Sequence, residues 1–127
     1  MPIINRIADY QEELTVWRRY LHQNPELGFE EFKTSDFVAN KLEEMGLSVH
    51  RGLAGTGVVA TLVSGDGTGG SIALRADMDA LPLQEKGSIA HRSETPGKMH
   101  ACGHDGHTTM LLGAAKYLSE TQNFNGT

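Results

Sequence analysis

Residues 99–107 gather side chains that bind transition metals. They include the single cysteine, Cys102, three of the six histidines, one aspartate and two glycines. Thiolate and imidazole are common zinc ligands, and a packed core has no use for so many of them together. Cys102 and His104 are two residues apart, so both side chains can point the same way from an extended or turning backbone. The sequence therefore predicts a metal-binding loop with Cys102 and His104 as ligands.

A helix is predicted directly after this loop, because apolar residues recur at helical spacing over residues 108–118. The ligands then lie near a helix N-terminus, where backbone N–H groups favour a thiolate. Taken singly, a cysteine is most often a small buried hydrophobe, and a histidine is most often a core or surface residue. Their clustering favours metal binding instead. Two ligands do not complete a zinc shell, so the others must come from elsewhere in the fold.

A second informative segment, residues 75–82, carries Asp77 and Asp79. It follows a predicted strand, and ligands gather at strand ends in α/β sheets. The two carboxylates could bind a metal directly, or they could orient a ligating imidazole through a hydrogen bond. They could equally belong to a polar turn closed by Pro82. The residues alone leave these alternatives open.

Two amphipathic helices and several short strands must position these segments. One helix is predicted over residues 3–22 and ends before Pro25, and a second is predicted over residues 34–45 with Gly46 as its C-cap. The pattern then changes to short apolar runs, which predict strands at 47–50, 58–63 and 71–76, the last two pairing as a hairpin. The glycine-rich loop at 52–57 lacks the features of a phosphate-binding loop.

Other polar residues have simpler interpretations. His22 could be catalytic, but a cation near a helix C-terminus is the simpler role. Three glutamates just ahead of the second helix could bind metal, but complementing the helix dipole is favoured for Glu26, Glu30 and Glu31. Residues 84–97 are polar and predict an irregular loop with a solvated His91.

The composition fits one domain of 127 residues with ordinary hydrophobic (39%) and charged (21%) content. A net charge of −5 without a basic stripe argues against nucleic acid and anionic membranes as partners. No apolar run approaches a membrane span, and the first residues lack the apolar region of a signal peptide. The single cysteine excludes an internal disulfide framework, which suits a reducing compartment and predicts the cytoplasm.

Three segments of the chain resemble the amino-terminal part of the M20 metallopeptidase family: residues 17–31, 75–82 and 99–107. The nearest branch is the amidohydrolases that include hippurate hydrolase, N-acyl-amino-acid deacylases and indole-acetyl-amino-acid hydrolases. The resemblance covers nearly the whole chain in the right order. It implies an α/β fold with helices packed on a central mixed sheet, as in zinc exopeptidases. Residues 1–127 would be the amino-terminal part of the catalytic domain, without the family's dimerisation domain.

The resemblance also implies a site with two divalent ions, zinc or manganese, in which Cys102 and His104 are ligands. Asp79 matches an aspartate that supports the site, and Asp77 falls where other branches carry a ligating histidine. Asp105 is a further supporting residue. No catalytic residue is expected in this stretch, because the general-base glutamate would lie beyond residue 127. The full-length enzyme would hydrolyse a small N-acyl-amino acid and could be a homodimer, whereas residues 1–127 alone would be inactive.

Two other classes of protein remain as alternatives. One is a truncated, non-catalytic metal-binding domain. The other is a redox-sensing cysteine protein, which the lack of a resolving cysteine weakens. A strand with paired glutamates encoded after residue 127 would favour the enzyme, whereas a stop codon would favour the binding domain.

Overall fold

Helices and one β-hairpin make up the fold, which a computed structural model describes over residues 4–127. Helices packed beside a sheet agree with the predicted α/β class. The elements in chain order are α1 (Asn5–Ala8), α2 (Gln11–Gln23), α3 (Phe32–Glu44), β1 (Ser48–Leu53), β2 (Gly57–Thr61) and α4 (His104–Thr121).

The first predicted helix is interrupted once. Its predicted first residue, Ile3, lies outside the described residues, and the remainder forms α1 and α2 with a turn at Asp9 and Tyr10. The Tyr10 N–H donates to the Ile7 carbonyl at 3.1 Å, three residues back, and this tightens the chain between the two helices. α2 ends at Gln23, just before Pro25, as the sequence predicts.

The core lies where α2, α3 and α4 meet. Its buried members are Trp17, Val38, Leu42 and Leu112, and residues of both strands pack against them. α4 contains the predicted helix 108–118 but begins earlier, at His104. Gly103 makes this early start possible, because its φ of +93° lets the chain turn sharply into the helix.

The sheet differs from the prediction. β1 and β2 pair antiparallel through a turn at Ala54 and Gly55, whose φ values are +53° and +97°. The hairpin predicted between residues 58–63 and 71–76 is therefore wrong, and so is the predicted strand at 71–76. The described residues contribute a two-stranded antiparallel sheet to the predicted α/β fold.

Isolated backbone bridges, not a sheet, position the two chemical segments. The Ala80 N–H donates to the Glu26 carbonyl at 2.7 Å, within a parallel bridge between Leu27 and Ala80. Leu81 and Met99 exchange two hydrogen bonds of 2.9 and 3.0 Å. Residues 77–81 are thereby held beside the start of α4. None of the helices in residues 4–127 is long and apolar enough to cross a membrane.

Candidate metal centre

Three side chains converge at the start of α4. Asp77, His104 and His107 each offer one ligand atom, and these atoms lie within 4.8 Å of one another. The group is accessible without being fully exposed, since the side chains of Asp77 and His104 are 29% and 16% exposed. Such a grouping of one carboxylate and two imidazoles can hold a divalent ion.

His104 is oriented by Asp79. Its Nδ1 lies 2.9 Å from both the backbone oxygen and Oδ1 of Asp79. Both are acceptors, so the hydrogen of the ring belongs on Nδ1. His104 Nε2 then carries the lone pair and lies 3.6 Å from Asp77 Oδ2. This is the arrangement in which an outer carboxylate fixes the tautomer of a ligating histidine.

Asp77 is held from two directions. His107 Nδ1 lies 2.7 Å from Asp77 Oδ1, and the Thr108 hydroxyl donates to the Asp77 backbone oxygen at 2.9 Å. The hydrogen bond from His107 lowers the pKa of Asp77 below its usual value, although burial opposes this effect. The deprotonated carboxylate is the form that binds a cation.

The sequence pattern alone assigns no separate role to His107. The spacing does indicate that His107 can join His104. The two residues are three apart, and residues three apart on a helix share a face, as they do in α4, which begins at His104. The structure thus adds His107 to the group.

Cys102 lies two residues before α4 and is exposed. The group of three within 4.8 Å does not include it. Its role as a metal ligand therefore stays a prediction. Its position just ahead of the helix is as expected.

Asp105 faces away from this group and is buried against α2. Only 1% of it is exposed. Asp105 Oδ2 accepts hydrogen bonds from His22 Nδ1 at 2.8 Å and from Arg18 Nε at 3.1 Å, and its Oδ1 accepts the Gly106 N–H at 2.9 Å. Burial raises the pKa of Asp105, but the His22 hydrogen bond and the charge of Arg18 outweigh it and hold the pKa below its usual value.

His22 is buried among polar side chains at the end of α2. It is 4% exposed, and its Nε2 lies 3.3 Å from Glu85, a buried carboxylate of the 84–97 loop. The rings of His22 and His91 form a T-shaped contact, with their centroids 5.7 Å apart. His91 is half-buried, although the sequence predicts a solvated residue. Sequence reasoning missed this cluster because its members are far apart in the chain.

His100 is buried without a hydrogen-bond partner for either ring nitrogen among residues 4–127. Its ring centroid lies 6.4 Å from that of His22. Burial lowers the pKa of His100, so the neutral imidazole is favoured there.

The glutamates ahead of α3 satisfy protein donors. Glu26 accepts the backbone N–H groups of Lys33 and Thr34 at 3.1 and 2.7 Å, in the first turn of α3. This agrees with the interpretation that Glu26 complements the helix N-terminus. Glu31 accepts a hydrogen bond from Thr56, and Glu30 forms an ion pair with Lys98.

Replacing Glu85 with glutamine is expected to make stability less sensitive to acid. The Ser93 N–H donates to Glu85 at 2.7 Å and lowers the pKa of Glu85, against the effect of burial, and His22 lowers it further. A carboxyl with a lowered pKa in the folded state stabilises the protein above its unfolded pKa, near 4.3. This stabilisation is lost as the pH falls through the pKa that the carboxyl has in the folded state. The free energy of unfolding, measured with urea, should differ between wild type and E85Q at pH 7, and this difference should shrink at pH 4. An unchanged difference would contradict the lowered pKa of Glu85.

Comparison with known proteins finds a matching family and several related sequences. The model of the family described as "Peptidase family M20/M25/M40" matches residues 73–127. Hippurate hydrolase of Campylobacter jejuni is 52% identical over 126 residues, which are 99% of this chain and 32% of that protein. N-acyl-L-amino acid amidohydrolase of Geobacillus stearothermophilus is 49% identical, over 92% of this chain and 32% of that protein.

A solved structure shares the fold. The Bacillus subtilis protein described as a dinuclear metal-binding peptidase from the M20 family superposes with a TM-score of 0.84 and 37% identity. The superposition covers 91% of this chain and 32% of that one. The chain thus spans about a third of the length of these relatives.

Proposed function

Because the chain belongs to peptidase family M20/M25/M40, we propose that it is part of a metal-dependent amidohydrolase that cleaves N-acyl-amino acids. The observation that carries this proposal is the convergence of His104, Asp77 and His107 on one point, with Asp79 fixing the imidazole of His104. The names of the relatives supply the substrate class. The products would be a carboxylic acid and an amino acid.

The donor set fits a divalent metal. Carboxylate and imidazole suit both zinc and manganese, and the thiol of Cys102 would favour zinc. We propose two such ions, as in the dinuclear structural relative, with His104 and Cys102 among their ligands. Bound ions of this kind supply Lewis-acid activation of water and of the scissile carbonyl.

The residues of this chain then have distinct tasks. His104 presents Nε2 to an ion because Asp79 accepts the hydrogen on Nδ1. Asp77 is kept deprotonated by His107 and lies on the open side of the His104 ring, where it can bind the ion or accept a hydrogen bond from a ligating group. We propose that the proton-shuttling glutamate and the dimerisation domain lie outside residues 1–127, since these residues match about a third of the length of the relatives.

The proposal also covers the partners of the protein and its cellular compartment. The substrate is a small molecule, and the negative net charge argues against nucleic acid. The single cysteine suits the reducing conditions of the cytoplasm. A homodimer is proposed for the complete enzyme.

Hydrolysis of N-benzoylglycine tests the function directly. With Zn²⁺ or Mn²⁺, the product of the complete coding sequence should release glycine, and Cys102→Ala should reduce the rate at least about tenfold because a ligand is lost. The 127-residue chain alone should show no turnover. His50→Ala, on the exposed face of β1, is the matched control and should retain full activity. Metal binding by a complete protein without hydrolysis of any N-acyl-amino acid would favour the alternative, a non-catalytic metal-binding domain.

A further inference from the structure

A buried hydrogen bond joins α2 to the first turn of α4, directly behind the candidate metal centre. His22 Nδ1 lies 2.8 Å from Asp105 Oδ2, and the two residues are 4% and 1% exposed. Asp105 is a carboxylate that only accepts hydrogen bonds, so the hydrogen of this contact belongs to His22 Nδ1. Burying such a polar pair stabilises the fold only if both groups are hydrogen-bonded with good geometry.

Asp105 is adjacent in sequence to His104, and both lie in the first turn of α4. Successive residues of a helix point about 100° apart, so one can face α2 while the other faces Asp79. Rotation or fraying of this turn would move His104 away from Asp79. The Asp105 carboxylate opposes such movement, because donors from α2 and from Gly106 fix both of its oxygens.

The other side of His22 is also anchored. Its Nε2 lies 3.3 Å from Glu85, which accepts the Ser93 N–H at 2.7 Å. The imidazole therefore spans two carboxylates, one on α4 and one in the 84–97 loop. Arg18 reaches Asp105 as well, but its side chain is 45% exposed, whereas that of His22 is 5% exposed. His22 is thus the better-fixed of the two donors.

We propose that His22 is a positioning residue for metal binding, which acts through Asp105 to hold the first turn of α4 and hence the imidazole of His104. The proposal rests on the proposed function, because it assumes that His104 binds a metal. His22 contacts neither the ion nor the substrate in this account. Its effect is on the orientation of a ligand.

Two substitutions separate positioning from general packing. In His22→Asn the amide nitrogen takes the place of Nδ1 and can still donate to Asp105. In His22→Gln the amide nitrogen lies near the position of Nε2, so it can reach Glu85 but not Asp105. Both variants remove the ring and should lose similar amounts of thermal stability. Leu42→Ala, a core truncation on α3, is the control for lost stability alone.

Two measurements on the 127-residue chain give the outcome. Co²⁺ titration followed by absorption should give an affinity within about threefold of wild type for H22N and L42A and at least about tenfold weaker for H22Q. Amide hydrogen exchange of His107, whose N–H donates to the Gly103 carbonyl at 3.0 Å, should be faster in H22Q than in H22N.

The outcomes are distinguishable. Equal Co²⁺ affinities and equal exchange rates for H22N and H22Q would overturn the positioning role of His22. Absence of Co²⁺ binding by the wild type would overturn the proposed function and, with it, the role of His22 toward a metal. Weaker binding by L42A to the same extent as H22Q would show that stability alone sets the affinity, and this would also overturn the proposal.

Discussion

Replacing His104 with alanine is expected to weaken zinc binding by the chain at least about 100-fold. Outer-shell partners of metal ligands typically change affinity 10- to 100-fold, and loss of a ligand itself should exceed that range. The substitution also leaves Asp77 and Asp79 without the imidazole that lies between them. Competition for Zn²⁺ with a chromophoric chelator measures the change.

His50→Ala is the matched control, since it removes an exposed imidazole from β1. It should leave the zinc affinity within about twofold of the wild-type value, because surface substitutions away from a site have small effects. Equal zinc affinities for H104A and wild type would contradict the assignment of His104. An equal loss in H50A would instead indicate nonspecific binding to imidazoles.

Replacing Leu112 with alanine is expected to destabilise the fold by about 2–5 kcal/mol. Leu112 is 2% exposed on α4 and belongs to the core cluster with Trp17. Domains of this kind have a total stability of roughly 5–15 kcal/mol, so the loss is a large share of the whole. Trp17 is the only tryptophan, and its fluorescence during urea unfolding reports the transition.

Met110→Ala is the control on the same helix. Met110 is 64% exposed, so its truncation should change the free energy of unfolding by less than about 0.5 kcal/mol. A Leu112→Ala variant as stable as Met110→Ala would contradict the packing of α4 on α2 and α3.

Helix periodicity in the sequence predicted the scaffold well. α2, α3 and α4 lie where apolar residues recur every three or four positions, and Trp17 and Leu42 are buried as their spacing indicates. The sequence predicts the start of α4 too late, because residues 104–107 contain no apolar side chain and so show no apolar periodicity. Their helical conformation depends on the turn at Gly103.

Strand prediction failed at residues 71–76 because an apolar run does not specify a hydrogen-bonding neighbour. Ile72 and Leu74 are 83% and 59% exposed, and the Ile72 N–H bonds to the Thr127 carbonyl alone. The hairpin that does form lies earlier in the chain, where β1 pairs with β2. There, Gly55 supplies the left-handed conformation that the tight turn requires.

The candidate site was predicted in part. Residue types and spacing pointed to His104, and the two possible roles of Asp77 and Asp79 were both recognised. Only the structure separates these two residues, because one contacts Nδ1 of His104 and the other lies on its Nε2 side. The pairing of His22 with Asp105 spans 83 residues and left no local signal in the sequence.

An anomalous difference map at the zinc absorption edge, from crystals of the zinc-loaded chain, tests the central claim most directly. We expect a peak about 2.0–2.1 Å from His104 Nε2, close to Asp77, and a second contact of about 2.3 Å if Cys102 Sγ also binds. A peak elsewhere on the chain, or a zinc-loaded crystal in which His104 Nε2 has no peak within coordination distance, would contradict the account.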